Sequence, residues 1–473
     1  MLGNTLHLEF DIAIIGAGPA GAVAAVSLAR FGYRVALAGQ PRRFPAVEGV
    51  ADRALAGLRY AGCERTLRQA SIRARRSAEW NGVRFAGNEE TLVERASFDS
   101  ALQTDAHDAG VSLFSGRVAT PIKHSDGWAV TAGAHRALSA RFLIDARGRA
   151  APAKALHRGP LTIALSQVWR LATPRVPGTA IAAFPDGWAW FANATPATAL
   201  LQILVSAEQT ALPPRAYLAG FYQSLLAAIP AAQNWIAAAE AVGPVRARQA
   251  QPQCHTDPIG IDDARVGDAA FAIDPLSGHG IYEAIGGALA LAAVVRTMLA
   301  RPADAELAQR FYRERIADDF RRMSRMGRDF YRQETRWAER PFWRERGAWP
   351  DTEPAHAAPA ESAPRIERRP VNVHDRAEGA EVIISADHPR GVWQVAGVAL
   401  APLLGELRTR QGEHPAEIAC VHAMRQGMSA ENGQAALAWL AIRGMVQAAT
   451  VNSAAPKSAS ASPNHKSTTT TDK

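Results

Sequence analysis

"FDIAIIGAGPAGAVAAVSLARFGYRVALAG", Phe10 to Gly39, reads as an apolar strand, a glycine-rich turn, an alanine-rich helix and a second apolar strand. Gly16, Gly18 and Gly21 set a G-x-G-x-x-G spacing between strand and helix. Each glycine has its own reason. The first permits a tight turn, the second lets backbone approach a pyrophosphate, and the third lets helix and strand pack closely. Ala17, Pro19 and Ala20 complete the turn, and the helix start behind them offers partial positive charge to phosphate. The pattern predicts a dinucleotide-binding βαβ unit. The acid expected about 20 residues further on, for a ribose diol, is missing. The chain there reads "RVALAGQPRR", with Gly39 at the acid's place, so Gln40 is the candidate ribose partner and Arg42 or Arg43 can stack on adenine.

The surrounding chain bounds the possibilities. Its 473 residues are too many for one core, so two or three domains are expected. The net charge is +8, but the cations are nearly all arginine, with lysine only at 123, 154, 457, 466 and 473. No dense basic run stands out, which argues against a nucleic-acid or acidic-membrane surface. Cys63, Cys254 and Cys420 are far apart and outside any C-x-x-C, which fits a reducing compartment and no metal site. The N-terminus lacks a basic leader, and no segment reads as a membrane span of about 18 apolar residues. The expectation is a cytoplasmic protein.

Further along, "RASFDSALQTDAHDAG" is an amphipathic helix with Phe98, Leu102 and Ala106 on one side. Short strands follow to "LIDARGRAA", with Asp145 as an acidic strand end, and again from Ser166 to Ser206. "GDAAFAIDPLSGHGIYEAIGGALALAAVV", from Gly267, offers a second acidic strand end at Asp268, then Gly278, His279 and Gly280 opening a helix. After Pro302 comes a long helix rich in arginine and aromatics, read as a clamp across the body. "PDTEPAHAAPAESAPRIERRP" reads as a linker. Beyond it, Glu381 to Ala386 can be a strand, followed by helical segments around Val392–Leu407, Pro415–Arg425 and Ser429–Arg443. This C-terminal part has the outline of a degenerate winged helix. Its last helix carries only Arg443 as a basic residue, which suits packing or protein contact better than DNA reading.

With those segments in view, the chain resembles the single-Rossmann flavoprotein monooxygenases, and within them the branch that includes the flavin-dependent halogenases. The resemblance covers roughly residues 10–346 and rests on "GAGPAG", "EGVADRALAGLRYAG", "ERASFDSALQTDAHDAGV", "LIDARGRA" and "GDAAFAIDPLSGHGI". It implies an α/β fold. A Rossmann-type FAD-binding domain (1–160 and 250–300) carries an inserted β-rich substrate domain (161–249) and a long helical region (301–349). A linker (350–378), a small helical, winged-helix-like C-terminal domain (379–450) and a disordered tail (451–473) complete the chain. It also implies FAD as cofactor. Glu48 lies in the segment after the second strand, Arg95 would contact the ribityl-phosphate region, and Asp268 the ribityl chain. Gly278, His279, Gly280 and Ile281 would bring backbone N–H groups to the isoalloxazine ring, with Pro275 lining the cofactor just before them. His279 is either a helix-start residue bonded to backbone or a proton donor or base near substrate.

Halogenases of this branch carry a lysine and a Trp-x-Trp-x-Ile-Pro segment. Here "SIRARRSAEWNG" holds only Arg73, Arg75 and Arg76, and "GWAWFANATP" keeps Trp188 and Trp190 without the Ile-Pro. Halogenation is therefore disfavoured, and the resemblance points to oxygen insertion into an aromatic ring through a flavin hydroperoxide. Trp188 and Trp190 share one side of a strand and form either a pocket wall, with Trp169 as a further candidate, or sheet core. "GWAW", "IDARGR", "PLSGHGI" and "DFYRQETRWAERPFWRERG" are together most similar to the flavoproteins that hydroxylate a tryptophan of a partner polypeptide during quinone-cofactor maturation. That resemblance implies a polypeptide substrate. Electrons would come from NAD(P)H or a separate flavin reductase. A small-aromatic hydroxylase, a halogenase-like enzyme and a prenyl-chain flavin reductase are the alternatives.

Overall fold

The structure is a computed structural model that describes residues 9–446, except 43, 134–136, 153–154, 357–362 and 411. Arg43 therefore lies outside the described residues, as does the stretch read as a tail.

Strand β1 (Phe10–Ile15), helix α1 (Pro19–Arg30) and strand β2 (Val35–Gly39) form the expected unit. β1 runs parallel to β2 on one side and to the Leu138–Asp145 strand on the other, in register Ile15↔Ala38 and Ile15↔Asp145. Ser112–Ser115 extends this sheet beyond β2. Asp263–Arg265 adds parallel to the Leu138–Asp145 strand, and two antiparallel strands complete seven. Eight of the twelve α1 residues are alanine, valine or leucine, and Pro19–Leu28 are buried, packing on the Gly280–Ala300 and Arg95–Asp108 helices. Phe98, Leu102 and Ala106 are fully buried, as their spacing predicts.

The Gly280–Ala300 helix corrects one expectation. It is long and apolar enough to cross a membrane by length and composition. Two-thirds of its apolar window is buried, however, against α1, the Asp52–Ala61 helix and the Ala305–Arg332 helix. Its apolarity serves the interior of the fold.

The second large sheet has nine strands. Glu240–Gln249, Thr162–Arg170, Thr198–Ser206, Gly187–Asn193 and Gly178–Phe184 pair antiparallel in that order. The sheet does not stop at the inserted segment. Gly178–Phe184 pairs in parallel with Ile72–Trp80, which leads on to Glu90–Glu94 and Val47–Val50. Strands from residues 47–94 thus join strands from 162–249, a long-range pairing that local alternation cannot signal. One face packs on the Leu218–Ala227 and Pro230–Trp235 helices through Trp169, Phe191 and Tyr222. The other meets Trp343 and Tyr331.

Compact packing divides the chain in two. The first unit gathers the described residues up to His356 with Pro370–Gly379, and the second the described residues of Ala357–Arg369 and from Ala380 onward. The stretch read as a linker contains a strand, Arg365–Val373, in which Glu367 accepts from Arg365 at 2.6 Å and from Arg369 at 2.9 Å. The Pro/Ala/Glu-rich composition of this stretch reads as a linker, but its end pairs as a strand. The second unit places short antiparallel strands before helices Leu400–Thr409, Pro415–Arg425 and Ala430–Ile442. Ser429 caps the last helix by accepting from Asn432 N, and Gly444 ends it at φ +68°. Arg443 is buried and committed to Asp387 in the interior of this unit.

Candidate active site

The glycines of the first turn fall into two kinds. A Cβ at Gly16 would stand 2.2 Å from the Ala146 carbonyl oxygen, and one at Gly21 only 1.9 Å from that of Gly16. These two hold the turn against the Leu138–Asp145 strand and α1 against the turn. Gly18 differs: a Cβ there would meet only Arg95 Nη2, at 4.0 Å, and its φ of −81° suits any residue. α1 begins with no side-chain cap and no acid in its first turn. An open backbone, an uncapped helix start and a guanidinium close by form a place for pyrophosphate. Ala17, Pro19 and Ala20 lie where expected, Ala20 pressed under Gly267. The missing acid has a steric counterpart, because a Cβ at Gly39 would stand 2.7 Å from the Ala17 nitrogen. Gln40 and Arg42 lie half-buried just beyond.

Charged groups from five segments converge beside this turn. Arg95, the first residue of its helix, is 8% exposed in its side chain and bonds Glu48 at 2.5 Å and Asp99 at 3.0 Å. Arg42 approaches Asp99 at 3.6 Å. Burial alone would lower the Arg95 guanidinium, but Glu48 and Asp99 hold it firmly protonated. Asp268 stands within the field of Arg149, Glu48, Arg95 and Arg42, with Arg149 Nε at 3.5 Å. It does not end a strand. The strand stops at Arg265, and Gly267, at φ +61°, turns the chain into a short 3₁₀ segment that carries Asp268. The Asp268 side chain keeps 44% of its surface, yet that surface opens into a small recess walled by Gly267, Phe271, Ile273, Gly280 and Glu283. Desolvation there raises its carboxyl, against the pull of Arg149. Arg149 belonged to a quoted motif but was not singled out; its role appears only when the third motif folds beside the second.

The third glycine turn is built on Asp274, whose carboxylate accepts from Leu276 N at 2.9 Å and caps the Pro275–Ser277 3₁₀ turn. Gly278 follows at φ +65°. Cβ atoms at Gly278 and Gly280 would meet nothing within 4 Å, so this backbone, like that of Gly18, lies open. His279 is the N-cap of the Gly280–Ala300 helix, and its Nδ1 is bonded to the Ser277 carbonyl. That bond makes Nδ1 the N–H donor and leaves Nε2 as the ring's acceptor. Ile281 turns its side chain into the core, 3% exposed, and can offer only backbone. Three open glycines, two uncapped helix starts and the Arg95–Glu48–Asp268 group are features that fit a flavin dinucleotide.

On the substrate side, Trp188 and Trp190 do share one sheet face, but they do different things. Trp188 is 2% exposed and donates through Nε1 to the Tyr331 hydroxyl at 3.1 Å, so it is core. Trp190 is half-buried in a cross-strand row of Ile181, Trp190, Gln202, Ser166 and Arg246, every member partly open. Leu276 of the glycine turn packs in the same cluster as Trp190 and Ile181. Trp169 is corrected: it packs on the opposite face against the Leu218–Ala227 helix. Arg73, Arg75 and Arg76 lie exposed on the Ile72–Trp80 strand. Lys123, the one lysine among the described residues, is tied to Asp262 at 2.6 Å at the far edge of the Rossmann sheet.

Residues 10–62 match the pyridine nucleotide-disulphide oxidoreductase family. A tryptophan 2-halogenase from Chondromyces crocatus is 25% identical over 365 residues, 70% of this chain and 69% of its own. The flavin-dependent halogenase CmlS shares the fold, with a TM-score of 0.69 at 17% identity, covering 89% of this chain and 96% of its own. The peptidyl tryptophan dihydroxylase QhpG, essential for tryptophylquinone cofactor biogenesis, matches with a TM-score of 0.79 and 40% identity over 93% of this chain and 100% of its own. At that identity and coverage, the chain belongs to the QhpG family of FAD-dependent oxidoreductases, built on the fold of the flavin-dependent halogenases.

Proposed function

We propose that this protein is an FAD-dependent monooxygenase that hydroxylates a tryptophan side chain within a polypeptide, as a step in making a tryptophan-derived quinone cofactor. Bound FAD, once reduced, supplies the chemistry of dioxygen activation. In each turnover one oxygen atom enters an aromatic C–H bond and the other leaves as water, with two electrons and two protons consumed. The chain's own residues do the rest. Gly18, Arg95 and Asp268 hold the cofactor, and the open Gly278–Gly280 backbone meets its ring. His279, with Nδ1 tied to the Ser277 carbonyl and Nε2 left as the ring's acceptor, is assigned the task of taking or returning a proton at the reacting indole.

The observation that carries the reading is the half-open row Ile181–Trp190–Gln202–Ser166 beside Leu276. It offers an aromatic face for stacking and, in Gln202, a side-chain carbonyl able to accept an indole N–H. Similarity to a peptidyl tryptophan dihydroxylase supports the polypeptide form of the substrate. A halogenase reading gains nothing here, since Lys123 is held by Asp262 away from the sheet face and arginine does not replace a lysine amine. Reducing equivalents arrive from a separate flavin reductase or from NAD(P)H. Tandem mass spectrometry tests the proposal. Incubated with FAD, a reductant and a tryptophan-containing polypeptide, the protein should add oxygen to the indole; rapid oxidation of free small aromatics with the polypeptide untouched would reject it.

A further inference from the structure

We infer that Tyr331 and Asp274 are positioning residues that lock the glycine turn carrying His279 to the substrate sheet. Tyr331 ends the Ala305–Arg332 helix, Asp274 opens the Pro275–Ser277 turn, and Trp188 sits on the Gly187–Asn193 strand. All three are at least 95% buried. The direction of their hydrogen bonds follows from chemistry alone. An indole N–H only donates, so the Tyr331 oxygen accepts from Trp188 at 3.1 Å and must send its own proton to Asp274 Oδ1 at 3.0 Å. The same Oδ1 accepts from Leu276 N at 2.9 Å, and Ser277 Oγ donates to the Asp274 carbonyl at 2.8 Å. Gly278 and His279 follow directly.

Packing alone does not call for this chain. Phenylalanine and leucine would fill the space without three buried polar groups that each require a partner. The polar chain adds direction, fixing one orientation of the turn relative to one strand. Tyr331 is itself held edge-on by Phe342 and Trp343, both at 5.9 Å between ring centres, and Trp343 donates to the Phe184 carbonyl at 3.2 Å. Residues 143 positions apart thus set how the Gly278–Gly280 backbone stands relative to the Trp190 row. Trp188 and Tyr331 belong to the buried cluster against which Ile181, Trp190 and Leu276 pack, so the three residues act from behind the row and the turn, through these elements. The kinetic consequence rests on the hydroxylase reading; the mechanical link does not.

The test uses the full-length, FAD-loaded protein and pairs kinetics with amide hydrogen exchange over residues 276–281. Tyr331→Phe keeps the ring and removes both bonds. Exchange in the turn should rise, and kcat on a tryptophan-containing polypeptide should fall, each about ten-fold, with KM unchanged. Asp274→Asn keeps a carbonyl oxygen able to accept both Oδ1 bonds, so its exchange and kcat should stay within about two-fold of wild type, whereas Asp274→Ala should behave like Tyr331→Phe. If Tyr331→Phe does not fold, the Asn and Ala variants at Asp274 carry the same comparison. Unchanged exchange in Tyr331→Phe overturns the link, as does an Asp274→Asn protein that is protected in the turn yet as inactive as Asp274→Ala, since that requires the ionisable proton. The predicted exchange pattern in a protein that hydroxylates no polypeptide would reject the proposed function and leave the link standing.

Discussion

Replacing Gly18 by alanine separates what the fold requires from what the cofactor requires. The new methyl group would meet only Arg95 Nη2, at 4.0 Å, in a backbone conformation alanine adopts freely. The fold therefore changes little: a stiffer unfolded chain adds about 0.4–1 kcal/mol, and alanine's poorer N-cap preference for α1 offsets a similar amount. Bound cofactor is another matter. The methyl occupies the surface that a phosphate must approach to reach the N–H groups opening α1. Losing one or two charge-assisted hydrogen bonds costs about 2–4 kcal/mol, or roughly 30- to 1,000-fold in the FAD dissociation constant. Titrating FAD into stripped protein, followed by flavin fluorescence, gives the affinity, and thermal unfolding of the stripped protein gives the fold. Gly21→Ala is the opposite control: its methyl would stand 1.9 Å from the Gly16 carbonyl oxygen, so the stripped protein itself should melt lower. Wild-type FAD affinity in Gly18→Ala would refute the assignment of this turn to the pyrophosphate.

Three further outcomes follow from burial and charge. Trp188→Ala should destabilise by about 3–5 kcal/mol, as large core deletions do, while Trp190→Ala should change stability little and raise KM for the polypeptide; denaturant melts and steady-state kinetics on the pair decide whether Trp190 faces substrate. Burial holds the Asp274 carboxyl above its usual range, despite the Leu276 N–H bond and the nearby Arg346. The unfolded chain therefore releases that proton first, and wild type loses stability as pH rises from the ordinary carboxylate range to the raised value, then levels off. Asp274→Asn stays neutral throughout, so its melting temperature relative to wild type should climb across that window; a constant gap between about pH 4 and about pH 8 would count against a buried, raised carboxyl. Arg443→Ala removes the buried cation that pairs with Asp387 and stacks on Trp439, and should lower the stability of the C-terminal unit, seen as earlier melting and proteolysis; a silent substitution would place Arg443 at the surface instead.

The cofactor half of this protein was largely legible in its sequence. A strand, three spaced glycines and an alanine-rich helix are local features, and local sterics determine them: Gly16 and Gly21 are glycine because backbone oxygens stand where a Cβ would go. The apolar spacing of Phe98, Leu102 and Ala106 likewise announced a buried face. Other properties belong only to the folded chain. Nothing in "GWAW" says that Trp188 donates to a tyrosine 143 residues away while Trp190 stays half open, because both sit on one face and only the packed helix distinguishes them. Trp169 fell on the wrong face because its strand's direction relative to its neighbours is a pairing property. Asp268 left its strand because Gly267 turns there, and the charges around it, Arg149, Glu48 and Arg95, come from three other segments. Side-chain periodicity is written along the chain and depends on a few neighbouring dihedrals, whereas electrostatic convergence and pocket exposure depend on distances between remote segments, which only folding sets.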